Sequence, residues 1–154
     1  MMIQPQQAAD DARRAAVRAA AQLATDARVQ LVYLFGSAAD PSRTVVRDVD
    51  IAVLTKPALR FDELLRIRAD LIAVTGVEID LVSLNDAPVV LAHEVADSGR
   101  CLYARNADVE LEFVTRARAR YWDFKPFLDA QWRLAGERLR QRERGRGRQH
   151  GPAH

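Results

Sequence analysis

The sequence predicts an α+β (α/β-like) domain: a small mixed sheet flanked by helices, with a long helix at the C-terminal end. Three observations lead there. Short apolar β-forming runs alternate with longer segments whose apolar residues recur at helical spacing. Glycine and proline punctuate the borders between them. The 154 residues, 49% hydrophobic and 29% charged, are about the size of one ordinary domain and can bury a core.

The elements follow in order. Residues 6–25 are alanine-rich and free of glycine, a helix-favouring composition, with Pro5 near the first turn and Asp10 and Asp11 toward its positive end. The run VQLVYLF that follows suits a strand buried on both faces, and it stops at Gly36-Ser37. Residues 38–47 hold the Asp, Pro, Ser and Thr of a loop, with room for one helical turn. Residues 49–54 form a second strand, ended by Lys56-Pro57. A helical stripe runs over 61–74 and Gly76 closes it. Residues 77–84 alternate as a third strand. Residues 86–98 read as a helix capped by Asn85 or Asp86 and followed by Gly99. A short strand covers 101–104, and a long helix runs from 108 to about 142, with a break near Pro126 left open.

Residues 1–144 are therefore expected as one domain: an N-terminal helix within 1–27, a core at 28–105 and a helical region at 106–144. The glycine-arginine repeat at 145–154 reads as a flexible basic tail. The charge is split to match. Residues 133–154 carry seven arginines against two glutamates, whereas the preceding body has more acidic than basic residues. A mildly acidic body argues against direct nucleic-acid binding except through the arginine-rich tail. No apolar run approaches a membrane span and the start lacks the order of a secretory signal, so the expected location is cytoplasmic with no membrane partner. The single cysteine, Cys101, excludes an intrachain disulfide framework and a thiolate zinc cluster.

One spacing carries chemistry. Gly36-Ser37 ends a strand, ten residues intervene, and Asp48-Val49-Asp50 opens the next. Residues i and i+2 of a strand share a face about 7 Å apart, so Asp48 and Asp50 project together. Asp80 occupies a matching place on the following strand, and neighbouring strands lie about 4.8 Å apart if they pair. Three such carboxylates repel one another without cations; hard-oxygen Mg2+ binding with substrate phosphates is the usual remedy. Glycine lets a phosphate approach the backbone, and Ser37 adds a hydroxyl donor at the start of a short helix. Phosphoryl or nucleotidyl transfer uses such an apparatus.

These residues resemble the signature of the polymerase-β-like nucleotidyltransferase superfamily in its minimal single-domain form. Residues 79–104 and 120–134 further resemble the antitoxin branch of HEPN–MNT toxin–antitoxin pairs, a likeness covering roughly 26–134. The resemblance implies the polymerase-β-like fold and an antitoxin that transfers AMP from ATP to a tyrosine of a HEPN-domain ribonuclease toxin. It implies Mg2+ as cofactor, as two ions, and ATP as substrate. By position it assigns Gly36 and Ser37 to the β- and γ-phosphates, and Asp48 and Asp50 to the metal. Asp80 becomes either a ligand of the second metal or the base for the attacking hydroxyl. The chain departs from the common pattern in running Ala38-Ala39-Asp40-Pro41 after Gly-Ser, without the usual arginine and second glycine. Arg47 replaces the serine that often precedes the first aspartate, and Arg43 or Arg47 could restore the lost charge.

Two other classes compete with the enzyme. One is an antitoxin that neutralises its toxin by binding alone; the other is a transferase acting on a small molecule such as an aminoglycoside. Retention of three carboxylates favours catalysis, since a binder gains nothing from clustered negative charge. His93 reads as a core or interface histidine and Glu78 as a solvated or supporting group beside Asp80. His150 and His154 have no metal-ligand spacing, and Cys101 reads as a small buried residue. Tyr121, Trp122, Phe124, Phe127 and Trp132 form an aromatic group suited either to packing or to a partner-binding face.

Overall fold

The structure, a computed structural model, describes residues 4–46 and 48–149, without the side chains of 148 and 149. Arg47 and the tail residues 150–154, with His150 and His154, lie outside the described residues. The elements run α1 (Pro5–Ala24), β1 (Val29–Phe35), a 3-10 turn (Gly36–Ala39), β2 (Val49–Thr55) and α2 (Phe61–Thr75). They continue with β3 (Ile79–Ser83), α3 (Val89–Ser98), β4 (Arg100–Ala104) and α4 (Ala107–Gln149). Two compact units are distinguished, one ending at Arg118 and one beginning at Ala119.

The first unit holds a four-stranded sheet in the order β3-β2-β1-β4. β1 pairs antiparallel with both β2 and β4, while β2 and β3 are parallel, so the expected mixed sheet is present. Strand alternation divides the side chains between two faces. On one face Val32, Leu34, Val49, Ile51, Val53, Ile79 and Leu81 pack with α1 and α2. On the other, Leu31, Tyr33, Phe35 and Ala52 pack with Ala92 and Val95 of α3 and with Phe113 and Ala117 of α4. Helices on both sides explain why VQLVYLF is apolar at every position but Gln30.

α1 meets the sheet through Ala9, Ala12, Ala16, Ala19, Ala20 and Leu23, all buried at helical spacing. Alanines bring the helix backbone close to the strands and lose no side-chain entropy on burial. α2 ends as expected at Gly76, whose φ of 71° is left-handed and whose N–H donates to Ile72 O at 2.8 Å. α3 begins at Val89 rather than 86. Asn85 does not cap it; its amide donates to Thr55 O at 2.7 Å and its Oδ1 accepts from Thr55 N at 3.0 Å. A polar side chain expected to serve its own helix instead fixes the end of β2.

In the second unit, residues 119–149 are helical, with Pro126 inside the helix and no break there. The helix continues past the expected boundary at 145 to Gln149. Arginine, glutamine and glutamate are good helix formers and outweigh Gly145 and Gly147, each disfavoured by about 1 kcal/mol. The aromatic residues divide: Phe124 and Phe127 stack with centroids 5.4 Å apart and Lys125 lies over Trp122, while Trp122 and Trp132 are exposed. Among the described residues no helix is long and apolar enough to cross a membrane.

Candidate active site

The site grows from one strand pairing. Phe35, the last residue of β1, is the antiparallel partner of Asp50. The chain therefore leaves β1 beside the Asp50 carboxylate and turns at Gly36, where φ is +72°. Only glycine suits this position twice over. A left-handed φ is costly for other residues, and a Cβ here would collide with Asp50 Oδ2. The 3-10 turn then carries Ser37 and buries Ala38. Gly36-Ser37 and the Asp-x-Asp strand, separated by ten residues in sequence, are adjacent in space.

The parallel register supplies the third acid. Asp50 pairs with Asp80 across β2 and β3, so both side chains leave the same face, the one covered by α3. Asp48 lies two residues before Asp50, just ahead of β2, and is exposed. Burial raises the Asp50 pKa above its ordinary value, and the charges of Asp80, Asp48 and Glu94 raise it further. Glu94 was not singled out from the sequence. It lies on α3 and joins the pocket wall with Ser98, one turn later.

The side chains are not drawn into one point. Asp80 is largely exposed, with Oδ1 3.8 Å from Arg68 Nη2, and the same arginine lies 3.8 Å from Glu78. Arg68 also donates through Nε to Ile79 O at 2.7 Å, which fixes it at the edge of β3. Glu78 is thus an exposed neighbour of Arg68, in keeping with its expected supporting place. Among the described residues, no three histidine, cysteine or acidic side chains are gathered closely enough to hold a metal ion as they stand. The donor chemistry nevertheless fits a hard divalent cation. The groups are carboxylate oxygens, and Asp50 is a partly buried carboxyl whose pKa burial and then the neighbouring carboxylates push up.

A pocket of about 280 Å3 opens beside this cluster, lined by Gly36, Ser37, Asp40, Arg43, Glu94 and Ser98. A second, about 610 Å3, is lined by Ser37, Ser42, Arg43, Thr44 and Val45. Ser37 and Arg43 belong to both. The negative charge that the sequence places in this loop is engaged locally. Asp40 Oδ1 accepts from Ser42 N at 2.9 Å and Ser42 Oγ at 2.6 Å, which holds its carboxyl below the usual range. Arg43, one of the two arginines offered for the missing positive charge, lines the pocket; Arg47 lies outside the described residues.

His93 is half-buried on α3. Cys101 is half-buried in β4, and burial raises its thiol pKa.

The chain resembles known proteins. Residues 19–108 match the family described as polymerase beta, nucleotidyltransferase. A curated relative, the protein adenylyltransferase MntA of Shewanella oneidensis, is 33% identical over 84 residues, 54% of this chain and 60% of that protein. The match thus spans less than two thirds of the relative's length. Among solved structures, a toxin–antitoxin with AMP-PNP is similar at 26% identity and a TM-score of 0.69, covering 77% of this chain and 97% of that one. A mutant MntA–HpeT toxin–antitoxin gives a TM-score of 0.70 at 23% identity over the same shares, a likeness of fold.

Proposed function

This chain belongs to the polymerase beta nucleotidyltransferase family, and from that premise we propose that it is a protein adenylyltransferase acting as an antitoxin. Its reaction is transfer of AMP from ATP to a tyrosine hydroxyl of a HEPN ribonuclease toxin. The observation that carries the reading is the pairing of Asp50 with Asp80 on the face that also receives Gly36 and Ser37. The adenylyltransferase name of the Shewanella relative and the AMP-PNP complex of a structural neighbour support it.

In this reading Gly36 and Ser37 hold the β- and γ-phosphates, and Arg43 adds a guanidinium to the same pocket. The attacking tyrosine oxygen forms a bond to the α-phosphorus, the bond from that phosphorus to the bridging oxygen breaks, and pyrophosphate leaves. The hydroxyl proton passes to a carboxylate of the cluster, Asp80 in the base assignment. Asp48 and Asp50 would hold Mg2+, with Asp80 joining them in the ligand assignment. When bound, the ion neutralises phosphate charge and stabilises the entering and departing oxygens.

Incubation with labelled ATP, Mg2+ and a HEPN partner tests the proposal. Label on a partner tyrosine, lost in Asp48→Ala and Asp50→Ala, supports it. A second reading, inhibition by binding without catalysis, draws on the contact of Asp80 with Arg68, which turns one carboxylate toward a protein cation. A tight inhibitory complex without label would establish that reading and overturn the first.

A further inference from the structure

The pocket wall depends on a residue that lies ahead of the family-matched segment 19–108. Arg13, on α1, has only 16% of its side chain exposed. Its Nε donates to Ala38 O at 3.1 Å, and its Nη2 donates to Asp40 O at 2.7 Å and to Arg43 O at 2.8 Å. Three carbonyls of a six-residue stretch thus converge on one guanidinium, whose planar fork of donors suits that task. Arg43 is fixed from its other side as well, since its N–H donates to Asp40 O at 3.2 Å.

The side chain of Arg43 lines the pocket. It is 63% exposed and forms a long ion pair with Asp40, Nε to Oδ2 3.9 Å, beyond hydrogen-bond distance. The Asp40 carboxylate meanwhile accepts both donors of Ser42. The guanidinium of Arg43 therefore retains donors for an anion and shares both pockets with Ser37.

We infer that Arg13 is a positioning residue for nucleotide binding: it folds the loop so that Arg43 faces Ser37 and binds the β,γ-phosphates of the substrate. This rests on the nucleotidyltransferase reading. It adds that α1 is part of the site and that phosphate affinity reaches the pocket through the pair Arg13 and Arg43.

The test is calorimetric binding of ATP, AMP and inorganic tripolyphosphate to the full chain with Mg2+. Arg43→Gln is expected to weaken ATP and tripolyphosphate by about 10- to 100-fold, the range for a lost charge-assisted hydrogen bond. AMP, which lacks the outer phosphates, should change by less than about twofold. Arg13→Gln should weaken the same two ligands, and the double variant should bind no more weakly than Arg43→Gln alone, because Arg13 acts through Arg43. Arg13→Lys should fail to rescue, as an ammonium lacks the planar fork that spans these carbonyls. Thermal melting of each variant separates these effects from unfolding, and exposed Arg43 supplies a readout even where Arg13 variants melt early. Arg43→Gln binding tripolyphosphate as the wild type does would overturn the inference, as would additive losses in the double variant. A wild-type chain that binds none of the three would overturn the nucleotidyltransferase reading and this inference with it.

Discussion

Two left-handed glycines form a natural experiment. Gly36 and Gly76 have nearly the same φ, 72° and 71°. A Cβ at Gly76 would meet nothing within 4 Å, whereas one at Gly36 would collide with the Asp50 carboxylate. Replacement by alanine forces an L-residue into the left-handed region at either site, at a cost of about 1–2 kcal/mol. For a chain of this size each kcal/mol lowers Tm by about 2–4 °C, so both variants should melt a few degrees early. Gly36→Ala has a further effect: Asp50 must swing aside, and a misplacement of about 1 Å at a reacting centre can cost about 100-fold in rate. The assay is the proposed transfer of labelled AMP to a HEPN toxin, measured well below both melting points. Gly36→Ala should lose about 100-fold or more, and Gly76→Ala should stay within about twofold of the wild type. Equal activity of the two variants, whether both full or both lost, would refute the claim that Gly36 is glycine because of Asp50.

Further outcomes follow from the charges and the core. Asp50→Asn should abolish AMP transfer yet raise Tm at pH 7. A carboxyl whose folded pKa lies above its ordinary 3.8 destabilises the fold once ionised, so the gain should vanish as the pH falls through that raised value; a variant that melts lower at pH 7 would contradict this. Arg28→Gln should behave in the opposite sense. Arg28 donates to Asp26 at 2.8 Å and Glu63 at 2.6 Å and holds both carboxyls below their ordinary 3.8 and 4.5. Their contribution is full at neutral pH, begins to fall below 4.5 and 3.8, and is lost as the pH passes through the lowered folded values, below which melting curves of variant and wild type should converge. Leu71→Ala removes a fully buried side chain packed between α2 and the sheet. Urea unfolding should show a loss of about 2–5 kcal/mol, and a loss below 1 kcal/mol would mean that α2 is not anchored there.

The sequence disclosed what periodicity controls. Val29–Phe35 was legible because a strand covered on both faces is mostly apolar, with Gln30 the one polar residue, and the end of α2 because Gly76 is the residue that tolerates its φ. Asp50 and Asp80 share a face because the parallel pairing of β2 with β3 preserves it, whereas Asp48 lies ahead of β2, where strand periodicity does not fix its side chain. Contacts distant in sequence stayed hidden: Asn85 bonded to Thr55, Arg13 to the loop after Ser37, Arg68 to Asp80. Glu94 shows why. Nothing in the run VVLAHEVADS marks one glutamate as special. Yet β3 and β4 lie at opposite edges of the sheet, so the helix joining them has to pass over β2 and β1, the strands that carry Asp50 and lead into Gly36. Its apolar residues Ala92 and Val95 bury on that face, and Glu94 between them reaches the pocket rim. The strand order, which composition and spacing do not encode, is what turns an ordinary helix glutamate into a neighbour of the acid cluster.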